Sequence, residues 1–254
     1  FLDGKINYPM MEILLKRQME ANIAAVVIAG TTGEGATLTD NEKIKLFHFS
    51  KEILAGHTRM IAGTGSNCTE HSIALSIAAE NAGADAVLIV SPYYNKSTPK
   101  GLIARYTAIS RAINIPIILY NVPSRTGVDI PVNVYEVLSK IPNIIGVKEA
   151  SNDITKIARI KNACGDAFSI WAGNDDQIVP VMSLGGHGVI SVLSNIAPEV
   201  TRNICTAVQN CDVSTAAKLQ CKLLPLIEAL FCEVNPIPVK AAMKEIGYDC
   251  GSCR

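Results

Sequence analysis

The chain has 254 residues, 48% of them hydrophobic, enough to bury a sizeable core in one or two domains. Lysine plus arginine and aspartate plus glutamate each number 23, so no bias of charge points to nucleic acid or membrane phosphate as a partner. No apolar run reaches the roughly 18 residues that a membrane helix needs, and nothing at Phe1 marks secretion.

FLDGKINYPMMEILLKRQMEAN (1–22) reads as a loop and a helix. A first strand follows at AAVVIAG (24–30). Thr39-Asp40-Asn41-Glu42 is a capping box, opening a helix toward Leu54 that Gly56 ends. Further strands fall at RMIAGTG (59–65) and ADAVLIVSP (84–92). Thr98 then caps a helix with Pro99 at its first position. IPIILYNVP (115–123) and NIIGVKEA (143–150) are the next strands, and Asp153 can cap a helix that stops at Gly165. FSIWAGN (168–174) and GVISVLS (188–194) bring the strands to seven. From Pro198 onward the pattern is helical, with Pro236 and Pro238 as a break.

The strand runs are near-continuously apolar, which suits parallel strands covered on both faces. Strand and helix alternate, which points to an α/β fold. A (β/α)8 TIM barrel fits best, but only seven strands are present. The first barrel strand is therefore expected to be missing, since an open barrel exposes two sheet edges. Residues 1–197 are read as this barrel lacking strand 1, and 198–254 as a truncated C-terminal helical segment. The alternative is an open doubly wound sheet, but no GxGxxG phosphate loop follows the first strand.

The eight cysteines are scattered, mostly in apolar helical contexts, and read as reduced thiols of a cytoplasmic protein. Cys250-Gly251-Ser252-Cys253 is a CxxC pair without a second pair at zinc spacing. His48, His57 and His71 show no metal-ligand spacing, so neither a metal nor another cofactor is expected.

In a parallel barrel the strand C-termini share one face, where active sites sit. The segments after the strands are Gly30-Thr31-Thr32-Gly33-Glu34, Gly63-Thr64-Gly65-Ser66-Asn67, Ser91-Pro92-Tyr93-Tyr94-Asn95, Tyr120 to Arg125, Lys148-Glu149 and Gly173-Asn174-Asp175-Asp176. Each has a bland reading beside the functional one. Thr31 to Glu34 could be a tight turn with a helix start, Tyr93 and Tyr94 packing aromatics, and Tyr120 a core tyrosine. Arg125 could pair with Asp129 on the surface. Glu149 points away from Lys148 if strand alternation holds, and is read as structural. Asp175 and Asp176 most simply cap the next helix. Gly185-Gly186-His187-Gly188 precedes the last strand and reads as a helix C-cap turn. Lys148 is the strongest candidate for chemistry. Apolar surroundings disfavour an ammonium, and a neutral amine is what a Schiff-base nucleophile needs.

Motifs along essentially the whole chain resemble those of the dihydrodipicolinate synthase family, within the pyruvate-dependent class I aldolases that include N-acetylneuraminate lyase. They are GTTGE (30–34), IAGTGSN (61–67), SPYYNK (91–96), LYNVPSRTG (119–127), GVKEAS (146–151), GNDDQ (173–177), GGHGVISV (185–192) and NPIPVK (235–240). The resemblance implies a lyase of diaminopimelate and lysine biosynthesis that condenses pyruvate with L-aspartate 4-semialdehyde. Lys148 then resembles the imine-forming lysine, and Tyr120, Thr31 and Tyr94 a proton-relay triad. Tyr94 would be supplied across a subunit interface, implying a homodimer or homotetramer. Thr32 resembles the group that holds the pyruvate carboxylate, and Arg125 the arginine that takes the semialdehyde carboxylate. Gly173 and Ile190 match positions whose backbone lines the imine. Arg125 and Thr31 favour the synthase over the alternative, a lyase such as N-acetylneuraminate lyase. Asn67 and Tyr93 match an effector site for lysine, from which His71 departs. His71 stands where lysine-inhibited relatives carry glutamate, so feedback inhibition is expected to be weak or absent.

Overall fold

The computed structural model describes residues 1–254. Helix α1 (Tyr8–Glu20) precedes β1 (Ala25–Ile28). Next come α2 (Asp40–Leu54), β2 (Arg59–Gly63), α3 (Thr69–Asn81), β3 (Ala86–Val90), α4 (Pro99–Ala112) and β4 (Ile117–Asn121). A short α5 (Pro123–Thr126) and α6 (Val132–Leu138) lead to β5 (Ile144–Glu149). The chain continues through α7 (Ile154–Cys164), β6 (Ser169–Ala172), α8 (Ile178–Ser183) and β7 (Gly188–Val189), then α9 (Pro198–Gln209), α10 (Val213–Ala229) and α11 (Ile237–Glu245). The caps follow the sequence: Thr39 and Glu42 form both bonds of the capping box, and the Thr98 and Asp153 side chains accept from the first turns of α4 and α7.

The seven strands are parallel and lie in chain order, β1 beside β2 and so on to β7. This is the sheet of a TIM-type α/β fold, with β1 and β7 as its two edges. Alternation along each strand builds two cores. Met60, Val87, Ile117, Leu119, Val147 and Ile170 point outward into the main core with the helices. Ile61, Leu88, Ile118 and Tyr120 point inward, with Val27, Ile145, Trp171 and Ile190 packed against them. On the open edge Ala25, Val26 and Val27 are only half-buried, whereas Ala86 to Ile89 of the interior strand β3 are fully buried. Side chains tie α1 to the segment after β7: Arg17 donates to the Ile196 carbonyl at 2.7 Å and Gln18 to the Ser194 carbonyl at 3.0 Å.

Two expectations need correction. The last strand is two residues, not the seven of 188–194, because the Val192 and Leu193 amides bond to the Asp175 carboxylate instead of continuing a ladder. Asp175 is therefore no helix cap; it is buried at 1% exposure and anchors that turn. Pro236 and Pro238 fall at the expected break: α10 ends at Ala229, and the two prolines open α11 as its cap and an early residue, where a missing N–H costs nothing.

Candidate active site

Parity places the central pair. On β5, Ile144 faces the outer core and Ile145 the inner one, and the extra residue at the strand's start resets the alternation so that Val147 faces out again; Lys148 therefore points inward and Glu149 outward. On β4, Ile117 and Leu119 face out, and Tyr120 faces in. The strands pair with Tyr120 opposite Lys148, and the Lys148 Nζ lies 4.6 Å from the centre of the Tyr120 ring. Lys148 is 9% exposed and Tyr120 7%. Lys148 forms no salt bridge, in contrast to the other deeply buried lysine of this region, Lys156. An unpaired lysine in an apolar wall is costly for folding alone and fits a group kept for chemistry.

A cavity of about 1930 Å3 runs through the lumen and the mouth. Its lining holds Thr31, Thr32, Tyr120, Arg125, Lys148, Gly173 and Ile190 together. Thr31 and Thr32 lie on the turn after β1, half-buried. Gly173 follows β6; its N–H donates to the Glu149 carbonyl at 2.7 Å, and a Cβ there would stand 2.5 Å from Ala150 Cβ. The Ile190 N–H donates to the Ala172 carbonyl at 2.9 Å. Arg125 does not pair with Asp129, which is taken by Lys156 and Asn121; its guanidinium donates to the Asn235 carbonyl at 3.4 Å.

Tyr94 is the residue this chain alone does not bring in. It is 92% exposed, in a left-handed conformation at φ 69°, and outside the cavity lining. Asn67, His71 and Tyr93 cluster on the cavity rim. Asn67 Nδ2 donates to the Tyr93 carbonyl at 3.4 Å. One ring nitrogen of His71 lies 2.9 Å from the Asp40 carboxylate and the other 3.1 Å from Ser66 Oγ.

Two residues here have contacts that the sequence did not reveal. Asn235, 5% exposed between α10 and α11, donates from Nδ2 to Thr32 Oγ1 at 3.0 Å while its carbonyl receives Arg125. It thus links Thr32 and Arg125 across the mouth. Its motif was visible in NPIPVK, but the contact spans some 200 residues and no local pattern encodes it. Asp175 is the second. Burial pushes its carboxyl above the usual range, opposed by Ser191, by the Leu193 and Val192 amides, and by the charge of Lys148.

A parallel α/β barrel sheet that carries a buried, unpaired lysine at its strand ends presents an amine suited to nucleophilic chemistry. The sequence profile of the dihydrodipicolinate synthetase family matches residues 2–254, and the chain belongs to that family. A 4-hydroxy-tetrahydrodipicolinate synthase of Clostridium perfringens strain SM101 is 48% identical over 254 residues, covering 100% of this chain and 87% of the relative. The structure of the 4-hydroxy-tetrahydrodipicolinate synthase of Methylacidiphilum fumariolicum SolV superposes with TM-score 0.98 at 38% identity, over 100% of this chain and 85% of that one. A dihydrodipicolinate synthase from Acinetobacter baumannii, solved in complex with pyruvate, superposes with TM-score 0.95 at 39% identity, over 98% of this chain and 85% of that one.

Proposed function

We infer that the chain is a lyase that condenses pyruvate with L-aspartate 4-semialdehyde to 4-hydroxy-tetrahydrodipicolinate, in diaminopimelate and lysine biosynthesis. The observation that carries this reading is the buried, unpaired Lys148 facing the Tyr120 ring in a mouth lined with hydroxyls and Arg125. The relatives' names and the pyruvate complex of one of them support it.

In this reading the Lys148 amine attacks the keto carbon of pyruvate. The carbinolamine loses water to give an iminium, and proton loss from the methyl carbon gives an enamine. The enamine carbon attacks the aldehyde of the second substrate. That substrate's amine then adds to the iminium carbon and expels the Lys148 amine, so one water is released per cyclic product. Tyr120, Thr31 and Tyr94 move the protons. Thr32 holds the pyruvate carboxylate, Arg125 the semialdehyde carboxylate, and the backbone at Gly173 and Ile190 lines the imine. The protein supplies every group this chemistry needs.

A homo-oligomer follows from the same reading. The exposure of Tyr94 supports its delivery to a neighbouring subunit's site, in a dimer or tetramer. The open edge between β1 and β7 supports a barrel short of its first strand, with the helices after residue 197 as an appended segment. The scattered cysteines support a cytoplasmic location. The test is a substrate panel with pyruvate, read by mass spectrometry of the products. Cyclic product with aspartate semialdehyde is expected, lost in Arg125→Ala while pyruvate still binds. Cleavage of N-acetylneuraminate without that condensation would overturn the assignment.

A further inference from the structure

Behind the catalytic pair lies a second, outward-facing pair that the reaction does not use. Asn121 follows Tyr120 and Glu149 follows Lys148, and the two stand opposite each other in register. They are buried at 0% and 3% exposure. Asn121 Nδ2 donates to Glu149 Oε1 at 2.7 Å and to Asp129 at 2.8 Å, while its Oδ1 accepts the Ile130 N–H at 3.0 Å. Glu149 Oε1 also accepts the Ser151 N–H at 3.0 Å. Its Oε2 accepts the Tyr135 hydroxyl at 3.0 Å and faces Lys156 Nζ at 3.5 Å. Burial, and next the charge of Glu149, hold the Tyr135 phenol in its protonated, donating form. Lys156 pairs in turn with Asp129.

A buried charged cluster is a poor choice for stability, because apolar residues of the same volume serve a core as well or better. This one sits where geometry matters most. The β4–β5 pairing is irregular at its start: Ile117 is opposite Ile144, but Ile118 is opposite Gly146, so β5 carries one extra residue. A strand pair that slips once is not held in register by its ladder alone. A slip of one residue would turn Lys148 out of the lumen and bring Glu149 in. A bond between Asn121 and Glu149 at the far end forbids that slip.

We propose that Glu149 and Asn121 are positioning residues for the reaction, their side-chain bond holding the ends of β4 and β5 so that Tyr120 stays over Lys148. Tyr135 and Lys156 brace Glu149 from α6 and α7. The proposal rests on Lys148 forming the imine.

The test counts active sites before measuring rate. Wild type, Glu149→Leu, Asn121→Ala, their double variant and Glu149→Gln are titrated by borohydride-trapped pyruvate, and kcat for the condensation is expressed per trapped site. A displacement near 1 Å at a reacting group costs on the order of 100-fold, so a drop of at least about tenfold is expected in Glu149→Leu and Asn121→Ala. The KM for pyruvate should stay close to that of the wild type. The double variant should be no slower than the slower single one, because both break one bond. Glu149→Gln keeps Oε1 as acceptor and should restore most of kcat. Should Glu149→Leu fail to fold, Asn121→Ala and Glu149→Gln decide. Wild-type kcat per trapped site in Asn121→Ala, with only its melting temperature lowered, would overturn the positioning role alone. No trapped pyruvate on the folded wild type would overturn the imine reading, and this proposal with it.

Discussion

Gly173→Ala tests how tightly the β5–β6 junction beside Lys148 is built. The added Cβ would lie 2.5 Å from Ala150 Cβ and 3.0 Å from the Glu149 carbonyl oxygen. Carbon atoms at rest sit about 3.5–4.0 Å apart, so the two segments must part by about 1 Å. The Gly173 N–H bond to Glu149, now 2.7 Å, would then stretch beyond useful length. Overpacking costs about 1–3 kcal/mol and the lost bond about 1 kcal/mol, together about 2–4 kcal/mol. For a chain of this size each kcal/mol is worth about 2–4 °C, so a fall in Tm of roughly 4–16 °C is expected. Because the strain falls next to Lys148, kcat should drop by on the order of 100-fold in the fraction that stays folded. Thermal unfolding followed by circular dichroism and steady-state condensation rates measure both effects. An alanine variant with wild-type Tm and wild-type kcat would refute the close-contact argument.

Other perturbations have defined outcomes. Asp175 has its carboxyl raised by burial, so the folded state binds its proton more readily than the unfolded one. Its contribution is fully favourable below the ordinary aspartate value of about 3.9 and is lost as pH rises through the raised folded value. Asp175→Asn should therefore gain stability relative to wild type as pH rises from about 4 toward neutrality, read as Tm against pH; a parallel pair of profiles would contradict this. Asn235→Ala removes the donor to Thr32 and leaves the carbonyl contact to Arg125. Its KM for pyruvate should rise about tenfold, the worth of one hydrogen bond of about 1.4 kcal/mol, with little change in Tm; an unchanged KM would show that Thr32 needs no such partner. Free lysine should inhibit weakly or not at all, because His71 already contacts the Asp40 carboxylate and supplies no carboxylate for an effector's ammonium group; half-inhibition at sub-millimolar lysine would contradict this.

The strands were legible because they are buried on both faces and so write themselves as unbroken apolar runs. Period-two alternation sufficed to turn Glu149 away from Lys148, but the extra residue near Ile145 that resets the faces of β5 left no mark in the sequence. The caps at Thr39, Thr98 and Asp153 were legible because their bonds close within three residues. What stayed hidden depends on distant partners. Asp175 reads as a cap until Val192 and Leu193 are folded against it. The same two bonds shorten β7, whose sequence favours a longer strand. Asn235 looks like a residue before a proline, and its bond to Thr32 crosses the mouth from the other end of the chain. Glu149 was legible as outward-facing but not as the acceptor of three hydrogen bonds and the partner of Lys156, since those groups come from β4, α6, α7 and its own turn. Tyr94 lies beyond reach for a different reason: in a single chain it touches none of the site it resembles a part of.

Whether Lys148 forms the imine is decided most directly by reductive trapping. The folded protein is incubated with pyruvate, reduced with borohydride, digested and mapped by mass spectrometry. A single pyruvate-derived mass increment on the peptide carrying Lys148 is predicted, absent without pyruvate and absent in Lys148→Ala. An increment on another lysine, or none on protein shown to be folded, would contradict Lys148 as the nucleophile.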